Sequence, residues 1–313
     1  MPIFTRVLGL TAALCWLPCV QAEQFLHQRS GALEVFRYEW ITFDRTHQVL
    51  EMALPAAFVK GLADDPKMRV KPNEVAALIF QRVSQAAASL SDEDYALTVK
   101  QEDAGLNVHG TGVDATELQR RLTLLQDTQT SVINHLRNDT YLWISEKEGV
   151  SFNYNQMVSD YLPTIKSLID QWPEHSGVFR ERLNSYLSFL QTIPYDPLER
   201  KTDFGVLTPP ALLTQNRGDC ESKQVALATF IRSTNPDLKL ILVGSGDHMI
   251  LGAGITPEPG DALFNYLGVG YVLMDATGPA REPVGALDGE SRGRLNHDVA
   301  EVFPIQSMGA NYM

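Results

Sequence analysis

The chain has 313 residues and carries 26 Lys and Arg against 38 Asp and Glu, for a formal net charge of −12. An acidic chain without a basic stripe is a poor partner for nucleic acid or for an anionic membrane surface, so both are set aside as functions. The acidity itself is accounted for as an aid to solubility.

The first 22 residues have the three parts of a secretory signal. Arg6 supplies the positive charge, Val7 to Val20 an apolar stretch, and Val20-Gln21-Ala22 the small residues of a cleavage point before Glu23. The stretch is shorter than the roughly 20 residues a bilayer span needs, and Pro18 suits a signal better than an anchor. Neither Cys15, behind Leu14, nor Cys19, behind Pro18, has the small preceding residue of a lipoprotein site. The expectation is a cleaved signal over 1–22, a periplasmic or secreted protein, and no membrane span afterwards. Residues 23–313 fit one large or two modest domains. They retain one cysteine, Cys220, which can form no internal disulfide.

Next in the chain, residues 32–42 alternate. Leu33, Val35 and Ile41 point one way, and Phe36, Tyr38 and Trp40 the other, which predicts a strand covered on both faces for part of its length. A polar turn at Asp44 to His47 leads to a second strand at Val49 to Leu54. Pro72-Asn73 opens a helix with Val75, Ile79, Phe80 and Val83 at the 3.6-residue period. Strands are expected at Tyr95 to Val99 and at Leu106 to His109. Residues 23–112 thus form an N-terminal α+β module without evident chemistry.

The segment 113–176 reads as helical. Leu118, Leu122, Leu125, Val132 and Leu136 keep heptad spacing. Leu162, Ile165, Leu168, Ile169 and Trp172 continue the apolar pattern, with Pro163 starting or bending a helix. Two uses fit such a seam: an antiparallel helical pair within the chain, or a surface over 113–172 that docks a protein partner.

The remainder, 177–313, carries the chemistry. After Gly218-Asp219, the run Cys220 to Ile231 is a good helix former, with Asp219 able to cap it. Cys220 then takes the first helical position, where unpaired N–H groups and the positive dipole end favour a thiolate. The neighbouring carboxylates Asp219 and Glu221 oppose this, so a histidine is needed to hold the charge. Leu238 to Val243 suits a buried strand, Gly244 to Asp247 a turn, and His248 opens a second strand. Tyr271 to Asp275 forms a third, joined through a loop at Thr256 to Gly268. His248 and Asp275 then face each other on one side of the sheet, the aspartate fixing the ring's tautomer. The tail after Thr277 reads as loop. Singly, each residue has a plainer use: inert packing for the cysteine, an exposed side chain for the histidine, a backbone cap for the aspartate. Together, in this order, they point to a Cys220–His248–Asp275 triad.

Gly218-Asp219-Cys220-Glu221, Asp247-His248 and Leu273-Met274-Asp275-Ala276-Thr277 resemble the transglutaminase-like superfamily, and Phe189 to Tyr195 is similar to its segment before the nucleophile loop. The resemblance covers about a third of the chain, Val178 to Pro279, and departs at Ile250, where members often carry an aromatic residue. It implies a papain/transglutaminase-like α+β core, with a helix carrying the cysteine and an antiparallel sheet carrying the histidine and aspartate. It also implies an acyl-transfer enzyme, such as a cysteine protease or amidase acting on a protein or peptide of the cell envelope. A catalytically silent scaffold of the same fold is the alternative. The first oxyanion donor would be the Cys220 N–H, and Gln191 or Gln215 are candidates for the second. The Asp-Cys-Glu run with a signal peptide resembles bacterial periplasmic proteases, in some of which these carboxylates help hold calcium. Asp219 and Glu221 match by position but fall short of the six to eight oxygens calcium takes, and capping is preferred for Asp219. No cofactor or metal is assigned; no zinc spacing is present, and Gly244-Ser245-Gly246 and Gly268-Val269-Gly270 read as turns.

Overall fold

The computed structural model describes residues 24–102, 105–145, 149–173, 178–198, 205–297 and 301–307. The signal expected over 1–22 lies outside them. The fold is α+β, with antiparallel sheets and helices packed around a main hydrophobic cluster, and two small clusters centred on Ile241 and Ile250 lie apart from it.

Strands β1 (Gln24–Ser30), β2 (Leu33–Ile41) and β3 (His47–Pro55) form an antiparallel sheet in that order. Phe36 pairs with Met52 and Tyr38 with Leu50, so the alternation of β2 and β3 turns a single face inward. On the opposite face Leu33 and Arg37 are exposed but Val35 and Ile41 are half-buried, so β2 is covered on its second side for only part of its length. Helix α1 (Ala56–Ala63) follows, then 3-10 turns at Pro66–Met68 and Pro72–Glu74 and α2 (Val75–Ser89). Val75, Ile79, Val83 and Ala87 line the buried stripe of α2. The hairpin β4 (Tyr95–Glu102) and β5 (Gly105–Gly112) packs beside it.

Helix α3 (Ala115–Asp139) is capped by Asp114, whose carboxylate accepts the Glu117 N–H at 2.8 Å. It leads into the hairpin β6 (Leu142–Ser145) and β7 (Gly149–Phe152), which sequence periodicity did not predict, and then into α4 (Tyr154–Ile169). The two long helices are not a helical pair. The leucine seam of α3 packs on α2, β5 and β6, whereas α4 packs on helices of the cysteine-bearing half. The seam is therefore used within the chain, where Leu125 and Leu136 are buried. Pro163 lies inside α4 and neither starts nor ends it.

Helices α5 (Phe179–Leu190), α6 (Pro209–Gln215) and α7 (Cys220–Thr234) surround the core, and α7 is its axis. From Ser222 to Arg232 every residue of α7 is buried, against α4, α5, α6 and the sheet. That sheet has the order β10 (Leu263–Tyr266), β11 (Val269–Met274), β9 (His248–Ala253), β8 (Leu240–Ser245) and β12 (Glu301–Ile305), antiparallel throughout. Helix α8 (Gly289–His297) precedes β12.

Two expected loops contain edge strands. β10 falls in the Thr256 to Gly268 stretch, and β12, with α8, in the tail after Thr277. Edge strands are short and half-exposed, so their apolar alternation is weak. The turn between β10 and β11 puts Leu267 and Gly268 at φ values of 47° and 78°, as the two-residue turns that match strand twist require. β12 tolerates Pro304 because an edge strand has a free side.

Aromatic contacts join the N-terminal sheet to the cysteine-bearing half. Trp172 stands 5.2 Å from Phe189 of α5, 5.5 Å from Phe230 of α7 and 5.5 Å from Trp40 of β2, ring centre to ring centre. Both indole N–H groups are satisfied, Trp40 on Ser188 Oγ and Trp172 on Ser185 Oγ. Among the described residues, no helix is long and apolar enough to cross a membrane.

Candidate active site

The site is built at one end of α7, where the helix meets the turn between β8 and β9. Asp219 is the N-cap of α7, and its Oδ1 accepts the Ser222 N–H at 2.9 Å. Cys220 is therefore the first helical residue, and its N–H has no hydrogen-bond partner among the described residues. The chain just before it is held tightly. Gly218 donates its N–H to the Pro194 carbonyl, and Asp196 donates to the Gly218 carbonyl at 3.0 Å. A Cβ at Gly218 would lie 2.8 Å from Leu212 Cδ1, so close packing of α6 on this loop requires glycine.

Across from it, the two-residue turn Gly246-Asp247 pairs Ser245 with His248 and delivers the imidazole to the helix end. Gly246 takes φ 60° to make this turn. The Cys220 Sγ lies 3.7 Å from the Asp247 carbonyl, beneath the turn, and the residue is 6 % exposed. β11 brings the third group. Its ladder with β9 ends at Met274 and Leu251, and one further step sets Asp275 across from Ile250 rather than from His248. The two side chains meet diagonally on the same face, with Asp275 Oδ2 accepting from His248 Nε2 at 2.7 Å. With Nε2 engaged by Asp275, Nδ1 is the ring nitrogen left for another partner.

Burial disfavours the charged ring of His248, but the hydrogen bond to Asp275 and the negative charge of Asp275 and Cys220 outweigh it and lift the imidazole to about 10. Burial likewise opposes the Asp275 carboxylate, whose pKa nevertheless falls because His248 and the Thr277 N–H bind it. Its Oδ1 accepts from the Thr277 N–H at 2.9 Å and from Gln224 Nε2 at 3.3 Å, and its Oδ2 also accepts from Ser291 Oγ at 2.9 Å. Four donors therefore fill the carboxylate.

Of the two glutamines proposed as an oxyanion donor, Gln191 has its amide nitrogen committed elsewhere. Gln191 Nε2 donates to the carbonyls of Asp275 at 2.7 Å and Glu282 at 2.9 Å, bracing the strand end from behind. Gln215 is exposed and accepts from Arg217. Gln224, Ser291 and Lys223 were not visible in the sequence as site residues. Lys223 is fully buried one turn after the cysteine and donates to the carbonyls of Ile193 at 2.5 Å and Thr277 at 2.6 Å. Burial lowers its pKa to about 8. It ties the segment after Asp275 to the one that flanks Gly218.

The carboxylates beside the thiol have separate structural uses. Asp219 caps the helix, and burial raises its pKa. Glu221 is pushed up to about 7, first by burial and then by the charge of Asp219, with Tyr154 of α4 opposing the shift. Among the described residues, no cluster of three or more His, Cys, Asp or Glu side chains could hold a metal ion.

A cleft of about 310 Å³ opens beside the pair, lined by His248, Asp275, Tyr195, Glu282, Ser291 and Arg294 among others. Asp247, whose carbonyl the Cys220 thiol contacts, is part of this lining, whereas Cys220 itself is not. No family model, curated protein or solved structure shows a significant match to this chain.

Proposed function

We propose that this chain is an exported thiol-dependent acyl-transfer enzyme, a cysteine protease or amidase of the transglutaminase-like kind, acting on peptide or isopeptide amides. One arrangement carries the reading: Cys220 sits at the first position of a buried helix with its thiol 3.7 Å from the carbonyl of Asp247, and the next residue, His248, is held at Nε2 by the buried Asp275 at 2.7 Å.

In the reaction, the Cys220 sulfur attacks the carbonyl carbon of the amide while the His248 ring holds the thiol proton. The carbonyl π bond opens, and the negative oxygen is met by the Cys220 N–H. When the C–N bond breaks, the imidazolium gives its proton to the departing amine and a thioester remains. Water, deprotonated by the neutral ring at Nδ1, then adds to the thioester. The C–S bond breaks, a carboxylic acid leaves, and the thiol–imidazole pair is restored. An amine in place of water gives transfer instead of hydrolysis. Asp275 stays ionised throughout and holds the ring by Nε2.

The experiment offers N-acylated peptide amides to residues 23–313 in the presence of hydroxylamine, which traps a thioester as a hydroxamate. The parent is expected to release hydroxamate, and Cys220→Ala none. Equal release from both would overturn the reading.

A further inference from the structure

Helix α8 supplies two side chains to the site from outside the strands and helix that carry the triad. Ser291 is 5 % exposed, and its hydroxyl donates to Asp275 Oδ2 at 2.9 Å, the same oxygen that accepts from His248 Nε2. Three residues later Arg294 pairs with Asp247, whose carbonyl receives the Cys220 thiol, and with Glu290 at 2.8 Å. The Arg294 carbonyl in turn accepts from Ser245 Oγ at 3.0 Å, beside the turn that ends in His248. The start of α8 is anchored as well, because Asp288 Oδ1 accepts the Ser291 N–H at 2.7 Å. The serine is therefore fixed at both its backbone and its hydroxyl.

On the reading of Cys220 as a nucleophile, we infer that Ser291 is a positioning residue for the triad: its hydroxyl fixes the Asp275 oxygen that orients His248, and α8 clamps the acid and the histidine turn into one geometry. The physical reason lies in the carboxylate's four contacts. Oδ1 is held by Thr277 and Gln224, but Oδ2 has only the imidazole and Ser291. Without the hydroxyl, Oδ2 is held by the imidazole alone, the ring loses its fixed anchor, and the thiolate–imidazolium pair forms less readily. The charged groups facing this pair are Cys220 and Lys223 from α7, Asp247 from the β8–β9 turn, Glu282 from the segment after β11, and Asp288, Glu290 and Arg294 from the start of α8 and α8 itself. None of them donates to Oδ2 in place of Ser291.

The test is the rate of Cys220 alkylation by iodoacetamide between pH 5 and 10 in the parent, Ser291→Ala, Ser291→Gly and Ser291→Thr. Losing a hydrogen bond to a charged group is expected to slow alkylation at pH 6 roughly tenfold in the alanine variant and to move the acid limb upward by about one pH unit. Threonine, which keeps the hydroxyl, is expected to restore both. A serine that only packs α8 would change the melting temperature and leave the limb in place. The glycine variant repeats the loss of the hydroxyl should alanine disturb folding. A reactive parent whose limb is unmoved in the folded hydroxyl-less variants overturns this inference alone. A parent no faster than a simple thiol overturns the nucleophile reading, and this inference with it.

Discussion

Asp275→Asn is expected to cut turnover of an amide substrate by about 10⁴-fold with little effect on folding. The size follows from donor and acceptor bookkeeping. Asp275 Oδ1 accepts from Thr277 and Gln224, and Oδ2 from His248 and Ser291. In the asparagine variant the carbonyl oxygen is best kept against the first pair, which turns the amide NH₂ toward Nε2 and the Ser291 hydroxyl. A donor facing Nε2 demands the tautomer with its proton on Nδ1, and that tautomer cannot receive the thiol proton. The serine hydroxyl can rotate to accept, so the packing survives while the ring is set the wrong way round. Steady-state kinetics with far-ultraviolet circular dichroism separates the two effects. Turnover within tenfold of the parent would mean that Asp275 does not set the tautomer.

Lys223→Met is expected to lower the unfolding free energy by about 2–4 kcal/mol, the largest stability loss expected here from a single polar side chain. Methionine fills nearly the same volume, so packing is largely kept. The loss comes from two buried carbonyls, those of Ile193 and Thr277, which lose their donor. Water cannot replace it where the side chain is fully buried. The sign with pH is also defined. Because burial lowers the folded-state pKa of Lys223 to about 8, below its usual 10.5, the lysine costs the parent stability at neutral pH, and that cost fades as pH rises from 8 toward 10.5. The gap between parent and methionine variant should therefore widen at alkaline pH. Urea unfolding at pH 7 and pH 10 measures both quantities. A loss below 1 kcal/mol at both pH values would show that the two carbonyls are satisfied without the ammonium.

The centre of the site could be read from residue order, and its supports could not. Asp219 and Cys220 announce a capped helix, and a turn ending in Asp247 announces the strand that opens with His248; both are local signals, and both elements form as read. Asp275 lies one residue past the end of β11 rather than within it, and it meets His248 diagonally, because register is set by pairing across the sheet and not by either strand alone. Ser291 and Lys223 gave no sign. A serine in a polar stretch and a lysine in a helix are ordinary until the fold brings a carboxylate or two carbonyls to them. Gln191 illustrates the converse, a side chain suited to one task by type and used for another by position. The helical middle was misread for a related reason. Heptad spacing in α3 records an apolar face but not its partner, which proved to be α2 with the β5 and β6 strands. Short edge strands such as β10 and β12 bury too little to imprint a period.

The central claim is that His248 and Cys220 act as one ion pair, and the pH profile of Cys220 alkylation in the parent beside His248→Ala tests it most directly. Burial opposes the charged imidazole, but the hydrogen bond to Asp275 and the negative charge of Asp275 and Cys220 raise its pKa to about 10. On the ion-pair reading, alkylation of the parent at pH 6 is expected to be faster than that of the alanine variant and to depend less steeply on pH. Superimposable profiles for the two proteins would contradict the account.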